Sequence, residues 1–92
     1  MQLEADRVVF KSASPWYEYE EQGYKPNTVR LLTPSESLRL CERDPQHIWI
    51  VEADDAARCF RREVRSIYVL TSLFGRDLVM VCWEHEGEVG EA

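Results

Sequence analysis

Only two lysines, four glycines, four prolines and two histidines occur in the 92 residues of this chain. Each scarcity excludes something. With so little glycine there is no glycine-rich phosphate loop. His47 and His85 have no ligand partner at useful spacing. Glu52, Asp54 and Asp55 supply half of a calcium loop without the glycine its sharp turn needs, and read as a turn. Cys41, Cys59 and Cys82 are an odd set with no Cys-x-x-Cys pair, which argues against thiolate zinc sites and thioredoxin-type redox chemistry. Cys41 and Cys82, in apolar surroundings, read as small core residues. No metal and no cofactor is expected. No apolar run approaches the roughly 20 residues that span a bilayer. The start, Met1 to Asp6, has neither the basic nor the apolar part of a signal peptide, so a cytoplasmic location is expected. No serine has a credible His-Asp relay.

What the chain does have is apolar and aromatic residues, 45% and 11% of the total, enough for one small core. One domain is expected over residues 1–83. Residues 84–92 lack periodicity, carry four of the 17 acidic side chains, and read as an acidic disordered tail. All 11 basic side chains precede the tail, so the formal charge of −6 falls to −2 for the body. That balance argues against loose, salt-driven DNA binding but leaves room for a local basic pocket.

Alternation and punctuation predict five strands and two short helices. Arg7 to Phe10 is a first strand. Ser14-Pro15 reads as an N-cap and first helical position, Trp16 and Tyr19 as the residues anchoring the helix, and Gly23 as its end. Thr28 to Leu32 is a second strand. Thr33-Pro34-Ser35-Glu36 is a capping box opening a helix that Asp44-Pro45 stops. Strands at 46–53, 58–70 and 78–84 form an antiparallel meander, with a bulge near Ser66 and a loop over 71–77. The class is α+β: a small, mainly antiparallel, five-stranded curled sheet or partial β-barrel with two short helices.

The segment Gly23-Tyr24-Lys25-Pro26-Asn27-Thr28-Val29-Arg30 is the richest in chemistry. Thr28 and Arg30, two apart, share a strand face, with Lys25 just before them. An ammonium, a hydroxyl and a guanidinium so placed can hold a phosphate, a carboxylate or a base edge. The alternative is a solvated strand start with Arg30 paired to a nearby glutamate. Tyr24 is the favoured stacking contact among Trp16, Tyr17, Tyr19 and Tyr24. Arg58, Arg61, Arg62 and Arg65 around Phe60 suit stacking with phosphate contact, Arg62 lying in the phase of Phe60. The plainer reading is a strand edge guarded by charge.

A strand, a helix carrying Trp16, then Gly23, Lys25, Thr28 and Arg30 opening the next strand, resembles the ASCH domain of the PUA-like fold, as does the Phe60 to Ile67 segment. The resemblance covers residues 7–70 and is similar to compact members carried by phages. It implies a small barrel with a cleft beside Lys25, Thr28 and Arg30 that binds RNA or a modified nucleoside. One branch resembles a small amidohydrolase that removes an acyl group from a modified cytidine using Lys, Thr and a later Glu. Lys25 and Thr28 match the first two. The region matching the third, residues 71–77, holds no Glu, which leaves Glu63 or Glu84 as substitutes.

The expected function is therefore a binding module for RNA, a nucleotide or a modified base, contacting it through Tyr24, Lys25, Thr28, Arg30 and Arg62. The first alternative is an amidohydrolase using Lys25, Thr28 and Glu63. The second is a phage-type accessory protein that binds a host or defence protein through its acidic surface.

Overall fold

The computed structural model describes residues 1–83; the acidic segment 84–92, with Glu84 and His85, lies outside the described residues. The elements in chain order are β1 (Gln2–Leu3), β2 (Val8–Ser12), α1 (Trp16–Gln22), β3 (Asn27–Leu32), α2 (Pro34–Arg43), β4 (His47–Glu52), β5 (Cys59–Leu73) and β6 (Arg76–Trp83). The strands make one curled sheet in the order β1-β2-β4-β5-β6-β3. The fold is α+β, and the short β1 is a sixth strand beyond the five expected.

The meander β4-β5-β6 is antiparallel throughout. β2 joins it in parallel, with Phe10 opposite Ile50, which the chain reaches only by crossing over through α1, β3 and α2. A bulge follows Val64, beside the expected Ser66, and a second follows Val69. They let one long strand serve both ends of the curled sheet.

The expected loop at 71–77 is instead strand almost to its tip. Phe74 (φ 52°) and Gly75 (φ 76°) form a two-residue turn between Leu73 and Arg76. Positive φ at both central positions matches the right-handed twist of the flanking strands, so the hairpin needs no longer loop.

The inner face carries one core, in which Val8, Phe10, Leu32, Ile48, Ile50, Val79, Val81 and Trp83 from four strands meet Tyr17 of α1 and Leu40 of α2. Burial of side chains of this size contributes about 1.5–3 kcal/mol each. The capping box of α2 is complete: Glu36 N donates to Thr33 Oγ1, and Thr33 N donates to Glu36 Oε1 at 3.0 Å.

Three local expectations are corrected. Ser14 does not cap α1; its hydroxyl is directed at Glu18 (2.9 Å) and Glu52 (3.1 Å). Trp16 and Tyr19 share a face, ring edge to ring face at 5.8 Å, but that face is exposed. The residues that anchor α1 are Tyr17 and Glu20, a second pair three apart turned onto the sheet. Cys41 is exposed because it follows Leu40, which takes the inward position on α2. No helix among the described residues is long and apolar enough to cross a membrane.

Candidate functional site: a hollow at the seam of the curled sheet

The curl brings β3, at one edge of the sheet, towards β2 near the other. β1 covers only Val8 and Val9, so β2 from Phe10 to Ser12 has no strand on that side. No backbone pairing joins β2 to β3 among the described residues. Their link is Arg30, whose guanidinium donates to the Lys11 carbonyl and, at 2.5 Å, to Ser12 Oγ.

Alternation explains how Arg30 reaches that seam. On β3, Thr28 and Leu32 are buried while Val29 and Leu31 are exposed, so Arg30 shares the inward phase. A cation in this position needs hydrogen bonds in place of water. Besides its two β2 acceptors it donates from Nε to Thr28 Oγ1 (2.9 Å), and it lies 5.3 Å from the Phe10 ring centroid. Burial draws its pKa below the ordinary guanidinium value, while the nearby Glu20 charge opposes that shift. The group remains a guanidinium at physiological pH.

Glu20 is 2% exposed and supplies the carboxylate of the site. Its Oε1 accepts from Ser12 Oγ at 2.7 Å and its Oε2 from Lys25 Nζ at 2.9 Å. Lys25 Nζ also donates to the Asn27 carbonyl at 3.0 Å. Gly23, with φ 90°, ends α1 in the left-handed conformation, and Lys25 N donates back to the Tyr19 carbonyl, so the ammonium is returned over its own helix. One continuous chain of polar contacts runs from Asn27 through Lys25, Glu20, Ser12 and Arg30 to Thr28.

These groups line a hollow of about 330 Å³ whose wall includes Lys11, Ser12, Trp16, Glu20, Lys25, Thr28 and Arg30. Lys25, Thr28 and Arg30 are thus brought together. Tyr24, 80% exposed, lies outside this hollow and lines the next one. Arg62 and Glu63 are elsewhere. Arg62 lies over Phe60 (4.4 Å) and donates to the Glu21 carbonyl at 2.7 Å, fastening α1 to β5. Glu63 is exposed on β5 opposite His47, because it alternates with the inward Arg62 and Val64.

Glu20, Ser12 and Lys11 are site residues that sequence reasoning missed. Their signals were phase relations: Ser12 continues the inward series Val8, Phe10 on β2, and Glu20 stands three after the buried Tyr17. A carboxylate in the buried stripe of a two-turn helix requires an internal partner.

The groups left for a ligand are mainly donors. Lys25 has one ammonium proton beyond its two contacts, and Arg30 has N–H groups beyond its three. Two cations (Lys25, Arg30) and one carboxylate (Glu20) share the hollow, and Trp16, 57% exposed, offers an aromatic wall. The wall thus suits a flat ligand with carbonyl or anionic oxygen acceptors. Compared with family models, curated proteins and solved structures, the chain finds no match.

Proposed function

We propose that the protein is a cytoplasmic ASCH-like binding module for a nucleobase-bearing ligand, seated in the hollow between Trp16 and the Lys25–Thr28–Arg30 group. The observation that supports this reading is the convergence of Lys25, Thr28 and Arg30 on one hollow of about 330 Å³ beside an exposed Trp16. That volume is at the small end for ligand sites and suits a single base with its sugar. Free N–H groups on Lys25 and Arg30 meet base carbonyl or phosphate oxygens, and the indole stacks on the ring. The test is equilibrium binding of the four nucleoside 5′-monophosphates, followed by titration calorimetry at two salt concentrations. Binding that weakens with salt and falls about tenfold or more in Trp16→Ala supports the proposal. Absence of binding at millimolar ligand by a folded protein contradicts it.

A second reading, hydrolysis of an N-acyl group on a modified base, is favoured by one specific contact. Glu20 sits 2.9 Å from Lys25 in the same hollow as Thr28, so a carboxylate accompanies the Lys and Thr that the family resemblance implies. In that chemistry Glu20 takes a proton from water, the oxygen attacks the acyl carbon, and Lys25 donates to the carbonyl oxygen. The amine then leaves with the proton returned by Glu20. Turnover of N-acylated cytidine that vanishes in Glu20→Gln and Lys25→Ala supports this reading; no turnover by folded protein contradicts it.

A further inference from the structure

We propose that the site takes a single-stranded nucleic-acid segment of at least two nucleotides, with a second base held on Tyr19 and Tyr24. This rests on the reading of the Trp16 hollow as a base site. A second hollow of about 500 Å³ adjoins it, lined by Tyr19, Tyr24 and Lys25, and the two share Lys25. The wall between them is aromatic without a break, since Tyr19 meets Trp16 edge to face at 5.8 Å and 71°. Trp16, Tyr19 and Tyr24 are 57%, 43% and 80% exposed, so packing of the core does not explain them.

Lys25 lines both hollows, as one phosphodiester joins two successive bases of a strand. Lys25 has one proton free for the bridging phosphate after its bonds to Glu20 and Asn27. Tyr24 is positioned despite its exposure: Gly23 closes α1 in the left-handed conformation, and Lys25 N is bonded to the Tyr19 carbonyl at 3.1 Å. The loop therefore presents a stacking surface in a set place, which lowers the ordering cost of binding.

The experiment compares dissociation constants of the full chain for nucleoside 5′-monophosphates and for dinucleoside monophosphates, in ribose and deoxyribose series. The best dinucleotide is expected to bind about tenfold more tightly than the best mononucleotide, although it carries less charge. A gain in either series supports the proposal, and the larger gain identifies the sugar. Tyr24→Ala should bring the ratio of the two constants to about one, while Tyr24→Phe keeps it. Mononucleotide binding with no gain for dinucleotides, or a gain that survives Tyr24→Ala, overturns the second subsite and leaves the first. A tighter complex with an acidic tyrosine-containing peptide than with any dinucleotide overturns it in favour of a protein partner. No binding of any nucleotide removes both readings.

Discussion

Arg30 on β3 donates to Ser12 on β2 at 2.5 Å, and this side-chain contact stands where a backbone ladder would otherwise close the sheet. The same guanidinium lines the proposed ligand hollow, so stability and binding meet in one residue. Arg30→Ala should destabilise the fold by about 2–4 kcal/mol in urea titrations, because the inward Thr28 and Ser12 hydroxyls lose a charge-assisted partner. Arg30→Lys should recover less than half of that, since an ammonium cannot reproduce the planar fork. An Arg30→Ala variant as stable as the parent would mean that the seam is held by something else.

Lys25 and Glu20 form an ion pair with unequal environments, 30% and 2% exposed. Removing the lysine strands a carboxylate in the interior. Lys25→Met should therefore cost about 2–3 kcal/mol, somewhat below the range for fully buried pairs because Lys25 reaches solvent. Adding Glu20→Gln should restore most of the loss. A thermodynamic cycle with a coupling energy near zero would contradict the pairing.

The Thr33–Glu36 capping box is the local feature most legible in the sequence, and both of its reciprocal bonds are present. Thr33→Ala should cost about 1 kcal/mol, measured as a shift in the denaturation midpoint at constant slope. The meander, the bulge near Ser66, the helix end at Gly23 and the shared strand face of Thr28 and Arg30 were legible for the same reason: each is written within a few adjacent residues.

What was not legible depends on distant partners. The parallel pairing of β2 with β4 joins Val8–Ser12 to His47–Glu52 across two helices and a strand, and no local pattern encodes it. Glu20 escaped notice because its partners, Ser12 and Lys25, lie in different elements. Trp16 and Tyr19 were misplaced because large aromatics usually mark the buried stripe, whereas here that stripe is Tyr17 and Glu20. Such inconsistencies between residue type and position concentrate at sites.

Acid should unfold the protein through three glutamates. Hydrogen bonds hold them below the ordinary value of 4.5: Ser14 on Glu18, the Thr33 amide on Glu36 and the Asp54 amide on Glu52. A depressed carboxyl contributes stability above its unfolded value and loses it as pH falls through the folded one. Melting temperature should thus be flat near neutrality and fall progressively below about pH 4.5. Glu52→Gln should make that fall shallower. An unchanged acid limb in Glu52→Gln would show that this carboxyl is not depressed in solution.

The central claim, that the hollow at the β2–β3 seam receives a nucleobase, is tested most directly by amide and indole NMR shifts during titration with nucleoside 5′-monophosphates. The prediction is saturable shifts at Ser12, the Trp16 indole and residues 25–30, with Trp49 on the opposite face unmoved. Shifts centred on Trp49 and Arg61, or none anywhere at millimolar ligand, would contradict it.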